Sequence, residues 1–317
     1  MAIHQINLVE ALGSRLEAKA VASSLEPRAK MGLSKEQIAR YGRQLILPEI
    51  GVKGQERLLA SSVLIVGAGG LGSPVALYLA AAGVGRLGII DQESVALSNL
   101  HRQILYTTEQ IGQPKSRAAA VRVASSNPDV TVIPIHERLT ADNANALVPS
   151  YDVVVDGSDN FPTRYLANDA CVLTNTPLVH GAAIQFTGQL FTVRPRRSAC
   201  LRCVFPEPPM GSAIPTCQGA GVVGPLVGVI GSLMAHEALK VLVGYGEPLT
   251  DRLLIVDGAR GHVREVAVRR DAGCALCGEH PTIRELSMIR DAECRNGQKS
   301  EIRCQKSDQP VVLASDL

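Results

Sequence analysis

The chain has 317 residues, 46% of them hydrophobic, enough to bury a substantial core in one large domain or two ordinary ones. Its 32 basic and 30 acidic residues leave a formal charge of +2, which gives no reason for broad attraction to nucleic acid or an anionic membrane. The absence of Trp and the presence of only four Phe argue against aromatic stacking on bases, while 29 Gly suit an α/β protein with tight turns.

The first twenty residues hold no basic cluster followed by an unbroken apolar run, so they do not read as a secretory signal, and the cytoplasm is the default location. Residues 1–33 carry a modest amphipathic pattern in Ile6, Leu8, Val9, Leu12 and Leu16, then turn polar, and are expected to form an N-terminal extension. Ser34 with Gln37 forms a capping-box pattern that opens a helix through Arg40, Arg43 and Leu47, ending near Pro48.

From Ser62 the chain alternates as a doubly wound fold does. A strand at residues 62–66 leads through a glycine turn into a helix at 73–82, then a strand at 86–90. A helix at 114–126, a strand at 130–135, a helix at 141–148, a strand at 152–155 and a helix at 163–173 continue the pattern. Strands at 178–180 and 189–193 shift to a period of two, which predicts antiparallel pairing, and residues 252–257 and 262–268 add two more. The fold class is therefore α/β: a Rossmann-like doubly wound sheet, mainly parallel, with an antiparallel extension. The longest apolar stretch, 219–235, is broken by Gly224, Pro225, Gly228 and Gly231 and is shorter than a bilayer span of about 20 residues, so it reads as buried helix.

Gly67-Ala68-Gly69-Gly70-Leu71-Gly72 directly follows an apolar strand and opens a helix, the context in which a G-x-G-x-x-G loop brings phosphates against backbone N–H groups. Asp91 ends the next strand, 19 residues after Gly72, where a carboxylate can accept hydrogen bonds from ribose hydroxyls. These features alone suit NAD and a dehydrogenase as well as ATP. The residues that follow favour ATP: Ser98-Asn99-Leu100-His101-Arg102-Gln103 brings an Arg and two amides, and Gly112-Gln113-Pro114-Lys115 brings a Lys to a helix start. Two cations suit a triphosphate, on which charge develops during transfer. Asp156-Gly157-Ser158-Asp159-Asn160 follows the fourth strand at the edge where open α/β sheets bind ligands, and Asp159 could hold Mg²⁺. Taken singly, Arg102 and Lys115 read as solvated charges, and Asp156 or Asp159 as a cap for the next helix.

Eight cysteines in a chain without an export signal point to metal binding or thiol chemistry before disulfides. Cys200-x-x-Cys203 and Cys274-x-x-Cys277 can each grip one side of a tetrahedral ion, giving a structural Cys₄ Zn²⁺ site; a redox dithiol or plain burial is the alternative. Cys217 lies outside both pairs in a Gly-rich loop before the long apolar helix, where a lowered thiol pKa would make it a nucleophile. Cys171 reads as core, and Cys294 and Cys304 fall in a polar tail without a reading.

Arg40-Tyr41-Gly42-Arg43-Gln44, the GAGGLG loop, Asp91, the 98–103 and 112–115 segments and Ser158-Asp159-Asn160 occur in the order seen in MoeB/ThiF-like, ubiquitin-activating-type enzymes, which the chain resembles from about residue 34 to 280. The resemblance implies roles. Gly67, Gly69, Gly70 and Gly72 would lie against the nucleotide and Asp91 would bind ribose. Asn99, Arg102, Gln103, Lys115 and Asn160 would contact the nucleotide and its phosphates, and Asp159 would coordinate Mg²⁺. Arg43 would act as an arginine finger from the partner subunit of a homodimer, and the four paired cysteines would bind zinc. The reaction implied is ATP-dependent adenylation of the C-terminal carboxylate of a small ubiquitin-like (β-grasp) sulfur-carrier protein ending Gly-Gly. Cys217 matches the cysteine that forms a covalent link in relatives that transfer sulfur.

Longer relatives carry a rhodanese domain after the zinc site, whereas 40 residues follow Cys277 here, so sulfur is expected from a separate donor, a cysteine desulfurase or a rhodanese. Residues 281–317 read as a C-terminal tail. Two other readings stay open: an NAD-dependent dehydrogenase, and a non-catalytic nucleotide-binding scaffold for a partner protein.

Overall fold

The computed structural model describes residues 32–208 and 220–287. Cys217, Cys294, Cys304 and most of the N-terminal extension and C-terminal tail lie outside the described residues.

Helix α1, Lys35–Leu45, begins with the expected capping box: the Ser34 hydroxyl accepts from Gln37 N–H, and the Gln37 side chain accepts from Ser34 N–H. A second helix that the sequence pattern did not single out, α2 (Gly51–Ala60), follows a short turn. It buries Gly54, Gln55 and Leu58, and carries too few apolar residues at helical spacing to declare itself. The alternating unit follows: β1 (Ser62–Val66), α3 (Gly72–Ala82), β2 (Arg86–Ile90), α4 (Lys115–Ser126), β3 (Thr131–Ile135), α5 (Ala141–Leu147), β4 (Val153–Asp156) and α6 (Phe161–Thr174). The rest is β5 (Leu178–Ile184), β6 (Thr187–Val193), a one-turn α7 (Leu201–Val204), the 20-residue α8 (Gly224–Val243), β7 (Arg252–Asp257) and β8 (His262–Ala267).

The strands form a single eight-stranded sheet in the order β3-β2-β1-β4-β5-β6-β7-β8. β3 through β5 are parallel and β5 through β8 antiparallel, as the change of hydrophobic period predicted. β5 and β6 are longer than expected, because the small residues Gly181-Ala182-Ala183 and Gly188 give no periodicity yet let α8 settle onto both strands. A Cβ on Gly181 would meet Met234, and one on Gly188 would meet Ile230.

Alternate residues of the buried strands feed two cores. Val63 and Ile65 of β1 face the layer of α2, α3, α4 and α8. Leu64 and Val66 face α5, α6, α7 and the cysteine cluster. Each fully buried Leu, Ile or Val contributes about 1.5–3 kcal/mol relative to exposure. Helix α8 is long and apolar enough to cross a bilayer by length and composition alone, but it packs on α3, β5 and β6 as a core helix.

Chain order reverses direction in the sheet between β1 and β4, whose carboxyl ends therefore open a crevice, the usual ligand position in a doubly wound sheet. The glycine loop leaves β1 and the 157–160 loop leaves β4 at this point.

Candidate active site

The glycine loop is close-packed in a way only glycine permits at two positions. Gly67 adopts φ +84°, and a Cβ on Gly72 would lie 2.0 Å from the Gly67 carbonyl oxygen. The loop thus turns tightly enough to aim α3 at the crevice. The first turn of α3 has no side-chain cap, which leaves its N-terminal N–H groups for an anion. Gly69 has open space above it, the nearest atom to an added Cβ being the Gln103 amide nitrogen at 3.6 Å, whereas Gly70 is pressed against Val227 of α8.

Asp91 stands at the end of β2, as expected. One carboxylate oxygen accepts from Ala68 N–H at 2.8 Å and the other from Glu93 N–H at 2.7 Å, so it ties the glycine loop to the strand end while keeping lone pairs for a ribose. Burial pushes its pKa up, against the pull of the Glu93 N–H and of Lys115. Lys115 is no solvated loop charge: it is buried and meets Glu93 at 2.5 Å. Tyr106 completes this corner, its hydroxyl donating to the Ala68 carbonyl at 2.7 Å.

A cleft beside the loop is lined by Gly70, Arg102, Gln103, Ser158, Asp159 and Arg164, among others. Arg102 is half-exposed and anchored to the Ser98 carbonyl. Gln103 is buried, and its Oε1 has no hydrogen-bond partner. A buried orphan acceptor beside an open glycine loop is what a polar ligand with hydroxyl or water donors would satisfy. Asp159 is the first exposed residue after β4, with only a 3.5 Å contact from the Asn160 amide, so its carboxylate can receive a hard cation, and the donor set suits Mg²⁺. Asn160 itself is the N-cap of α6, accepting from Thr163 N–H at 3.0 Å, and Asn99 Oδ1 accepts from Ala96 N–H; each uses its carbonyl oxygen on the backbone. Arg164 was not singled out from the sequence, because a lone Arg near the start of a helix gives no local signal. It projects from α6 into the cleft, where its guanidinium donates twice to the Ser158 carbonyl.

Arg43 is exposed, and its side chain makes no hydrogen bond or ion pair with other described residues. Its helix packs at the far end of α3, where Tyr41 sits against Gly83 and Gln44 donates to the Ala82 carbonyl. The glycine loop lies one length of α3 away, about 16 Å. Arg40, on the same helix, donates to the Ser126 carbonyl at this far end.

The ThiF family model matches residues 41–276. The chain belongs to the ThiF family. It is 52% identical over 261 residues to a protein named sulfur carrier protein adenylyltransferase from Thermus thermophilus, covering 81% of this chain and 96% of that one. It is 46% identical over 286 residues to adenylyltransferase and sulfurtransferase MOCS3 of Danio rerio, covering 90% of this chain and 62% of the relative, so it spans about three fifths of that longer protein. Among solved structures, E. coli MccB with ATP has a TM-score of 0.63 at 22% identity over 71% of this chain and 68% of MccB. PaaA has a TM-score of 0.65 at 23% identity over 84% and 86%. These two likenesses establish the fold.

The four paired cysteines of this ThiF-family chain come together as expected, in a geometry consistent with a zinc site. The Sγ atoms of Cys200, Cys203, Cys274 and Cys277 all lie within 4.8 Å of one another, with neighbouring pairs at 3.8, 3.7 and 3.3 Å. A tetrahedron with Zn–S of about 2.3 Å has edges of about 3.8 Å. Hydrogen bonds from Cys200 and Cys277 hold the Cys203 thiol well below its usual range, while those to Cys203 and Cys277 push Cys200 up. A bound cation would displace the remaining thiol protons to solvent and take up the thiolates as ligands. Asp271 N–H donates to Cys203 Sγ, and Arg202 pairs with Asp169 of α6 at 2.7 Å, which fastens the knuckle to the sheet. Of the expected site residues, the structure brings together the glycine loop, Asp91, Arg102, Gln103, Lys115 and Asp159; it sets Arg43 and the four cysteines apart.

Proposed function

We propose that this chain adenylates the C-terminal glycine carboxylate of a small ubiquitin-like sulfur-carrier protein, using ATP and releasing pyrophosphate. The observation that carries the reading is the cleft in which Gly70, Arg102, Asp159 and Arg164 face one another beside an uncapped helix N-terminus. The name of the Thermus relative supports the choice of acyl substrate. A hydride-transfer site has no use for this clustering of cations, and a scaffold would have no need to keep it.

A carrier carboxylate is already anionic at neutral pH, so it needs no general base. Its oxygen attacks the α-phosphorus, the bond from that phosphorus to the bridging oxygen breaks, and pyrophosphate leaves as an acyl-adenylate forms. The glycine-loop N–H groups and Arg102 hold the phosphates, Lys115 and Asp91 fix the corner under the ribose, and Arg164 adds a cation where charge develops. Mg²⁺, held by Asp159, would supply further neutralisation of the departing pyrophosphate. Zinc at the four cysteines would be structural.

We read residues 34–280 as the catalytic unit, flanked by the 1–33 extension and the 281–317 tail, working in the cytoplasm as a homodimer in which Arg43 reaches the partner's site. A separate sulfur donor, a cysteine desulfurase or a rhodanese, would then convert the adenylate to thiocarboxylate, with Cys217 acting at that later step. The test is ATP–pyrophosphate exchange with Gly-Gly carriers. Exchange is expected to require a carrier and Asp159 and to survive Cys217→Ala. Absence of exchange with every carrier, despite ATP binding, would sink the reading.

A further inference from the structure

Beneath the 157–160 loop lies a buried polar pair that the reaction does not use directly. Asp156, the last residue of β4, and His180, the third residue of β5, are opposite partners in the parallel register of the two strands. Both are buried, with relative exposures of 0% and 1%. His180 Nδ1 donates to Asp156 Oδ2 at 2.9 Å, and the ring is held edge-on against Phe191. The other carboxylate oxygen, Oδ1, accepts from Ser158 N–H at 3.0 Å and from its hydroxyl at 2.6 Å. The Ser158 carbonyl is in turn taken by Arg164. All three polar groups of Ser158 are therefore fixed, and the next residue is Asp159.

The loop is also locked to the glycine loop. Gly157 N–H donates to the Val66 carbonyl at 2.9 Å, and a Cβ on Gly67 would meet the Gly157 carbonyl at 3.2 Å. A shift at Ser158 cannot be absorbed locally; it moves Asp159 relative to the phosphate site. A buried carboxylate deprived of one partner must find another, and the nearest mobile donors belong to this loop.

We propose that His180 is a positioning residue: through Asp156 and Ser158 it sets the Asp159 loop in the geometry that receives the metal-bound triphosphate. The inference rests on the proposed use of Mg-ATP. It is distinct from a packing role, because a packing role would affect ATP binding with and without metal alike.

The experiment compares wild type, His180→Asn and His180→Phe as full chains, measuring ATP affinity by calorimetry with Mg²⁺ and in magnesium-free buffer without chelator, which leaves the cysteine cluster undisturbed, alongside thermal unfolding. Asn keeps a donor near the Nδ1 position, while Phe keeps the ring and loses the donor. His180→Phe is expected to weaken Mg-ATP binding by about ten- to a hundredfold while leaving metal-free ATP binding within about twofold. His180→Asn should restore most of the Mg²⁺ response. Equal loss in both media, or no loss in a folded His180→Phe protein, overturns the proposal, as does a wild type indifferent to Mg²⁺. If His180→Phe does not fold, Ser158→Ala decides: a loss confined to the Mg²⁺ arm upholds it, and an unchanged or uniform response overturns it. Because these readouts are of binding, failure of the exchange assay would count against adenylation and not against this inference.

Discussion

Asp91 shows how one side chain can serve the fold and the ligand at once. Its carboxylate holds Ala68 N–H and Glu93 N–H, and burial is the main cause of its raised pKa. For an acid raised on folding, the stability associated with the protonated form is fully present below the unfolded value and is lost as pH rises through the folded one. Ionised Asp91 is thus mildly unfavourable in the free protein at neutral pH, and ribose hydroxyls that donate to it favour the ionised form. ATP affinity should accordingly fall on acidification, with a midpoint above the ordinary aspartate value of about 3.9. Asp91→Asn should bind weakly and lose that component of the pH dependence, as calorimetry across pH would reveal; an unchanged profile would remove Asp91 from the ribose site. Tyr106 offers a simpler test. Its buried hydroxyl joins the Ala68 and Lys115 carbonyls, so Tyr106→Phe should lower stability by about 1–2 kcal/mol in urea unfolding and weaken nucleotide binding. Stability equal to wild type would mean that this junction contributes nothing.

At the scale of elements, α6 is the part that joins the two sites. Arg164 in its first turn lines the nucleotide cleft, and farther along Asn168 accepts from Leu201 N–H while Asp169 pairs with Arg202 of the cysteine knuckle. Removing the metal should therefore loosen α6 along with the knuckle. Purified protein is expected to contain about one zinc per chain, and chelation or Cys274→Ser should cost at least about 2 kcal/mol, a fall of about 4–8 °C in Tm. A zinc-free protein that melts as before would reduce the cluster to buried thiols. The sequence made the elements legible wherever burial was two-sided: β1, β2 and β4 are short, mostly apolar runs with a polar residue at one end, after which the helices follow in order. It was mute where the signal is tertiary. Nothing local marks His180 as the partner of a carboxylate 24 residues earlier, and Lys115 looks like a loop charge until the fold sets Glu93 over it. Asn160 carried a ligand-like motif position, yet its carbonyl is the helix cap, a role that the segment Asn160-Phe161-Pro162-Thr163 could have signalled.

For the whole molecule, the question is where Arg43 works. Within one chain it is held at the end of α3 remote from the glycine loop, on a helix fixed there by Tyr41, which bonds Asn127 and Asp129, and by Gln44 on the Ala82 carbonyl. A guanidinium so placed has no route to phosphates bound in its own crevice, but it is exposed and free to enter a neighbour's. Exposed apolar residues close to it in sequence, Ile38, Ile46, Leu47 and Val52, would be covered in such an arrangement. Complementation separates the two possibilities. Arg43→Ala and Asp159→Ala should each lack exchange activity when pure. If Arg43 acts across a two-fold interface, a mixed dimer has one site with every residue intact and one lacking both. Equimolar subunits that exchange freely form mixed dimers half of the time, so activity should return to about a quarter of wild type. If Arg43 acts within its own chain, every site in the mixture lacks one residue or the other and no activity returns. The same mixture run with Arg102→Ala in place of Asp159→Ala should give the same quarter, since Arg102 lines the cleft with Asp159 and would be complemented in the same way.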